Sequence, residues 1–254
     1  MTTSLSPLDI GLCVPVLNER VALGPLLDEI AAVLGDAPHT VCIIDDGSTD
    51  GTVELVRARM ESDPRLHLLQ RERQGRGCRR GGASRAGLAW LVAHTRHTTF
   101  VDFDADGAND PRELFEAARR IGVGADVVIA SKYVPGSRVE GRPLVRRLGS
   151  RVYSGMLRAL FDPAVHDYSN SYRVYSRRAA ELVLAAHTRY DTPVYLVEML
   201  AVWLAHGLAI EERPTHYRAR IGGESKVVWS DVARGFAGAF DVGVRFRRGG
   251  YLAR

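Results

Sequence analysis

The spacing of apolar positions changes several times along the chain, and the changes mark its elements. Ile10 to Val16 is a near-continuous apolar run of strand length and predicts a buried strand. After Asn18-Glu19 the period lengthens. Leu23, Leu26, Leu27, Ile30 and Val33 recur at three and four, which predicts a helix from about Val21 to Leu34. Val41 to Ile44 and Leu66 to Leu69 predict two more strands, with a helix over Val53 to Met60 between them. Ser48, Thr49 and Asp50 stand where they can cap that helix. Ala83 to Ala93 predicts a helix, Phe100, Val101 and Phe103 a buried central strand, Glu113 to Arg120 a helix, and Asp126 to Ala130 a strand. Strand–helix alternation with short links predicts an α/β fold with a mostly parallel sheet flanked by helices. The first half therefore reads as a nucleotide-binding unit.

The alternation fades after about residue 131. Val134 to Pro143, with two Pro, two Gly and several charges, predicts a loop. Arg146 to Leu160 predicts a helix, Ser171 to Tyr175 a strand, Ala179 to Ala186 and Tyr195 to Leu204 two helices, Leu208 to Ile210 a last strand and Val227 to Phe246 a last helix. The chain shows no internal repeat, low-complexity tract or linker, which favours a single domain. A length of 254 residues permits a sizeable core.

Composition narrows the class. No stretch is long and apolar enough to span a bilayer, and the nearest, Tyr195 to Ile210, is interrupted by Glu198 and His206. Met1 to Asp9 has no basic region followed by an apolar run, so no signal peptide is expected. Three cysteines without metal spacing suit a reducing, cytoplasmic setting. Cys13 and Cys42 lie in apolar runs and read as core, whereas Cys78 lies in a basic loop. The net charge is only +4, but arginines cluster at Arg76, Arg79, Arg80 and Arg85, at Arg138, Arg142, Arg146, Arg147 and Arg151, and at Arg245, Arg247, Arg248 and Arg254. Such clusters suit phosphates or an anionic membrane surface, and equally describe solvated helix faces. A nucleic-acid-binding module would use the same arginines but leaves the acidic residues below without a role.

Those residues follow the central strand. Asp102, Asp104 and Asp106 stand at spacing two, which along a strand points side chains to one side. Gly107 breaks the strand, and Asn109-Asp110-Pro111 predicts a helix start with Pro at its first position. Asp104 and Asp106 are thus expected at the carboxyl end of a central strand, where open α/β sheets bind ligands. Two carboxylates held there repel each other, and Mg or Mn would relieve the repulsion. A solvated acidic turn is the alternative reading of the pair alone.

Four motifs in order carry a resemblance over Ile10 to Lys226. They are Val14-Pro15-Val16-Leu17-Asn18-Glu19, Ile44-Asp45-Asp46-Gly47-Ser48-Thr49-Asp50-Gly51-Thr52, Asp104-Ala105-Asp106 and Arg220-Ile221-Gly222-Gly223-Glu224-Ser225-Lys226. Together they resemble the GT-A-fold family 2 glycosyltransferases, in particular the dolichol- or polyprenol-phosphate mannose synthase branch. The resemblance implies a GT-A domain over residues 1–226, and the spacing and charge of residues 227–254 read as an amphipathic helix and basic tail. It implies that Pro15, Leu17, Glu19 and Asp46 line the nucleoside pocket. It implies that Asp104 and Asp106 hold Mg or Mn on the diphosphate of a GDP-mannose or UDP-sugar donor, and that Arg220 and Lys226 grip that diphosphate.

Looser matches imply an acceptor side. Ala130-Ser131-Lys132-Tyr133 stands where relatives have Gly-Ser-Arg-Tyr, so Lys132 would meet an acceptor phosphate together with Arg146 and Ser150, which share one helix face. The chain also departs from the family pattern. Ala108 replaces the third metal ligand, often Gln, which water, Asn109 or Asp102 would have to supply. Ser171 and Tyr172 replace Gly and Phe in the stretch Tyr168 to Arg173, and Gly75 to Arg80 adds basic residues before Gly82.

The implied reaction is inverting transfer to a polyprenyl phosphate, or to a soluble hydroxyl. A hydroxyl needs a base, for which Glu198 and Asp167 are candidates. A salt-bridged or packing position is the other reading of Glu198. A nucleotidyltransferase or a dehydrogenase would instead show a Gly-rich loop after the first strand, where Pro15 to Glu19 stands. Val232, Phe236, Phe240 and Val244 form one stripe on the last helix, beside Arg234, Arg245, Arg247 and Arg248. The stripe reads either as core packing or as peripheral membrane contact.

Overall fold

β1 (Ile10–Val16) is the strand on which the sheet is assembled. It pairs in parallel with β2 (His39–Asp45) on one side and β4 (Thr99–Asp102) on the other. Its apolar run has no polar alternation because both faces are covered, as a central parallel strand requires. The computed structural model describes residues 9–72, 79–141, 144–162, 164–221 and 229–252, and of residues 144–147 and 229–232 the backbone alone.

β3 (Leu66–Gln70), β5 (Val127–Ser131), β7 (Arg173–Ser176) and β8 (Ile210–Pro214) complete a seven-stranded sheet of order β3-β2-β1-β4-β7-β5-β8. A two-stranded ribbon joins β6 (Arg138–Val139), inside the stretch expected to be loop, to β9 (His216–Tyr217), where no element was expected. α1 (Arg20–Leu34), α2 (Thr52–Met60) and α4 (Leu114–Gly122) cover one face, where Leu23, Leu26, Ile30, Val56 and Leu114 meet Leu12, Val14, Ile43 and Val101. α3 (Arg80–His94), α6 (Arg177–Ala185) and α7 (Tyr195–Ala205) cover the other. α5 (Leu144–Leu160) and α8 (Trp229–Arg247) extend that second core through Leu157, Ala239 and Val242. Arg247 donates to the Leu160 and Ala159 carbonyls at 3.1 and 2.8 Å, closing the end of α5.

Two further expectations change, and the direction of one strand is new. The central strand stops at Asp102, so alternation along a strand does not govern Asp104 and Asp106. The strand expected at Leu208 to Ile210 is β8, displaced toward the polar Glu211-Glu212-Arg213. An edge strand can be polar, and apolar spacing then marks only its start. β7 enters antiparallel between β4 and β5, with Arg173 opposite both Asp102 and Ile129. Its start therefore lies at the edge where β4 and β5 end, and residues 167–172 are delivered to the carboxyl ends of the parallel strands. α3 comes close enough to the sheet that a Cβ on Gly87 would run into Ile44 and Cys13.

Candidate active site

The first two motifs are tied to each other. Asn18, in the left-handed region at φ 54°, donates its N–H to the Ser48 hydroxyl at 2.8 Å and accepts from the Thr49 N–H at 2.7 Å. The N–H groups of Glu19 and Arg20, at the start of α1, meet the Thr52 hydroxyl and the Asp50 carboxylate, each at 3.1 Å. Ser48, Thr49 and Asp50 thus brace the neighbouring loop and the start of α1. The N-cap residue of α2 is Gly51, which has no side chain to cap with, and the neighbouring Asp50 accepts from the Thr52 N–H at 3.0 Å, so Asp50 serves the starts of both helices. Asp45 turns back on its own loop, accepting from the Gly47 and Ser48 N–H groups. Asp46 faces the other way and pairs with Arg71 at 2.9 Å. Pro15 and Leu17 are half-buried beside this pair of loops.

The three acids separate in role. Asp102 is fully buried and accepts from the Tyr175 hydroxyl at 3.2 Å. Burial raises its carboxyl above the ordinary range, with Arg80, Ser84, Arg173 and Tyr175 opposing. That lodging in the core argues against Asp102 as a substitute metal ligand. Asp104 accepts from the Arg80 guanidinium on one oxygen and the Ser171 hydroxyl on the other. Asp106 accepts from the Ala108 N–H and from Arg220, each at 3.0 Å. Burial first, and the neighbouring charge of Asp104 second, raise the Asp106 carboxyl despite these donors.

The Arg220 segment lies against the acidic turn. The Arg218 and Ile221 N–H groups donate to the Ala108 and Asp106 carbonyls at 2.8 and 2.9 Å. Gly107, at φ 74°, makes that approach possible, since a Cβ there would come within 2.7 Å of Ile221 Cδ1. Arg218 is anchored bidentately to Glu29 at 3.0 and 2.9 Å. Arg220 also comes within 3.8 Å of Glu19, so the first, third and fourth motifs converge on one guanidinium. Gly222 to Lys226 lie outside the described residues, so the fold gives no position for Lys226.

On the side expected for the acceptor, Lys132 is buried and its ammonium lies 3.0 Å from Asp167. Asp167 also accepts from the Lys132, Ser169 and Asn170 N–H groups at 2.9–3.0 Å and from the Ser169 hydroxyl at 3.0 Å. Burial works to raise its carboxyl, but Lys132 and these bonds outweigh it and lower the value. Ser150 is half-buried on α5, and the Arg146 side chain lies outside the described residues. Arg173 is fully buried, donates to the carbonyls of Tyr168, Asn170 and Leu196, and is lowered to about 10 by burial. It is a scaffold for the loop that brings Ser171 to Asp104.

Glu198 is fully buried on α7. It accepts from the Arg189 and Tyr190 N–H groups, from Arg245 and from the Tyr251 hydroxyl, all at 2.9–3.1 Å. Four donors and no exposure argue against the expected base and support the salt-bridged reading. Several arginines of the basic clusters are likewise occupied within the protein: Arg80 on Asp104, Arg85 on Asp191, Arg245 on Glu198.

Sequence reasoning missed Arg80 and Ser171 as partners of Asp104, and Arg71 as the partner of Asp46. For the first two a signal existed. Arg80 belongs to the added basic residues and Ser171 replaces a family Gly, so both were visible as departures. Arg71 carried no signal, because only the parallel register of β2 and β3, with Asp45 opposite Gln70, brings it to Asp46.

Among the described residues, no group of three or more His, Cys, Asp or Glu is placed to hold a metal. Asp104 and Asp106 are two hard oxygen donors, and Ala108 adds none. Mg2+ is commonly held by one or two carboxylates, with waters and substrate phosphates completing the shell. The donor set therefore fits a divalent ion that arrives with a diphosphate, not a closed protein cage.

Open sheet, paired loops and acidic turn are those of the nucleotide-sugar glycosyltransferases of GT-A fold. Glucosyl-3-phosphoglycerate synthase from Mycobacterium tuberculosis, solved with UDP, superposes with a TM-score of 0.64 over 93% of this chain and 80% of its own, at 19% identity. A further mycobacterial structure superposes with a TM-score of 0.67 over 94% of this chain and 74% of its own, at 18% identity. The chain belongs to glycosyl transferase family 2, whose model matches residues 12–184. Polyprenol monophosphomannose synthase from Mycolicibacterium smegmatis is 31% identical, over 92% of this chain and 86% of its own. Undecaprenyl-phosphate mannosyltransferase from Micrococcus luteus is 30% identical, over 95% and 96%. The expected fold and family both hold.

Proposed function

We propose that this glycosyltransferase moves a sugar, with inversion, from a nucleotide-sugar donor to a polyprenyl phosphate. The observation that carries the reading is the convergence of Glu19, Asp104, Asp106 and Arg220 at the carboxyl ends of β1 and β4. Glu19 and Asp46, with the backbone of Pro15 and Leu17, hold the nucleoside. Arg220 and Lys226 hold the diphosphate and stabilise the charge that develops on the leaving nucleotide. Asp104 and Asp106 would hold Mg or Mn, which supplies Lewis-acid neutralisation of that leaving group. Lys132, Arg146 and Ser150 orient the acceptor phosphate.

The acceptor choice is supported by the state of the two candidate bases. Asp167 is committed to Lys132 with a lowered carboxyl, and Glu198 is committed to four donors. A hydroxyl acceptor would need one of them free. A phosphate oxyanion is already nucleophilic and needs neither. The matching relatives are named for sugar transfer to polyprenyl phosphates. The test is transfer of label from GDP-mannose or UDP-glucose, with Mn2+ and undecaprenyl phosphate, into an organic-extractable, mild-acid-labile product. Label that enters only water-soluble products would remove the lipid phosphate.

Among the described residues no helix is long and apolar enough to cross a membrane. The stripe on α8 divides: Phe236 packs edge-on against Tyr153, whereas Phe240 is 55% exposed. On α5, Leu148 and Val152 are 66% and 58% exposed. Arg151 and Arg234 are also exposed on these two packed helices, and Arg248 just after the second. An apolar and basic surface of this kind suits peripheral contact with an anionic bilayer. The protein should sediment with anionic vesicles at low salt, and Leu148→Asp with Val152→Asp should reduce the bound fraction several-fold. Equal sedimentation of both proteins would place the contact elsewhere.

A further inference from the structure

We propose that Arg80 holds the cation's place on Asp104 until a donor arrives and then transfers to the donor's diphosphate, so that divalent ion and donor bind cooperatively. The proposal rests on the metal and donor reading above and assigns a positioning role to a residue outside the family motifs. Arg80 opens α3 and its guanidinium contacts one oxygen of Asp104, with the two side chains only 16% and 22% exposed. Ser171 occupies the other oxygen. Asp106 is filled in the same way by Arg220 and the Ala108 N–H. Every carboxylate oxygen of the pair thus has a protein donor.

Charge decides the consequence. Asp104 and Asp106 are paired directly with Arg80 and Arg220, two charges against two, and Glu19 stands 3.8 Å from Arg220 as a third acid. A divalent cation entering this group alone brings two positive charges against the single acid left over and must displace a guanidinium that remains ionised at any working pH. With Ala108 at the third ligand position, the protein offers little to offset that displacement. A donor's diphosphate brings one negative charge on each phosphate. It restores the balance and gives the displaced guanidinium a bidentate partner as good as the carboxylate it leaves. Ion and diphosphate therefore each raise the other's affinity, as linkage requires.

The experiment titrates Mn2+ into the purified protein, with free Mn2+ read by its electron paramagnetic resonance signal, alone and with saturating GDP or UDP, and subtracts the Mn2+ held by the nucleotide in a protein-free titration. Wild type should bind Mn2+ weakly alone and about tenfold or more tightly with the nucleotide. Arg80→Leu and Arg80→Gln should bind Mn2+ alone about tenfold more tightly than wild type, and the gain from nucleotide should shrink. Two variants are used so that loss of fold in one, read by its melting curve, leaves the other. Mn2+ affinity of a folded Arg80 variant equal to or below that of wild type, without nucleotide, overturns the proposal. Failure of the parent reading is distinguishable. In that case Asp104→Asn with Asp106→Asn binds Mn2+ as wild type does in the presence of nucleotide.

Discussion

Asp104→Asn and Asp106→Asn are each expected to reduce the transfer rate by about 100- to 1,000-fold, the range found when one preorganised electrostatic group is removed from a site. The fold should survive both changes. Asp104 stands on a partly exposed turn, and its amide can still accept from Ser171 or Arg80. The amide of Asp106→Asn keeps an oxygen that can accept from the Ala108 N–H or from Arg220. Initial rates at saturating donor, set beside thermal melts, check both halves. A variant keeping more than a tenth of the wild-type rate would exclude that carboxylate from the site.

The second large effect concerns stability. Glu198→Ala should destabilise the protein by about 3–5 kcal/mol, the cost of leaving a buried ionic partner uncompensated. The substitution leaves Arg245, the Tyr251 hydroxyl and the N–H groups of Arg189 and Tyr190 without their acceptor. Through these partners Glu198 fastens the 187–190 loop and the end of α8 to α7. Glu198→Gln keeps an acceptor oxygen and should recover part of the loss. A urea series gives the measurement. If Glu198→Ala unfolded at the wild-type midpoint while losing its rate, the carboxylate would be acting on the substrate after all, and the clamp reading would fall.

The candidate site was legible to unequal depths. Asp104, Asp106, Glu19, Asp46 and Arg220 could be named because each lies in a short run of residues with its own backbone logic: a strand end, a tight turn, a Gly-containing loop. Lys132 was also named, but its buried pairing with Asp167 depends on where residues 167–172 are carried. Of the three residues expected to cap α2, Asp50 does accept from the Thr52 N–H at its start, but it and Ser48 also accept from N–H groups at and just before the start of α1, because a short polar side chain serves any N–H group that the fold brings near.

The order of the strands and helices of the main sheet, its mostly parallel character and the family were determined by the sequence alone, but not the β6–β9 ribbon. Apolar spacing reports burial along a segment, and the motifs are contiguous. What only the tertiary structure decided is which charge meets which. Arg80 reaches Asp104 across 24 positions, Ser171 reaches the same carboxylate across 67, and Arg220 reaches Asp106 across 114. Those separations are closed by sheet register, above all by the antiparallel entry of β7 between β4 and β5. A carboxylate and a guanidinium attract at any sequence distance, and periodicity along one segment holds no information about the other partner. The sequence therefore marked the acids, and the fold chose the cations that hold them.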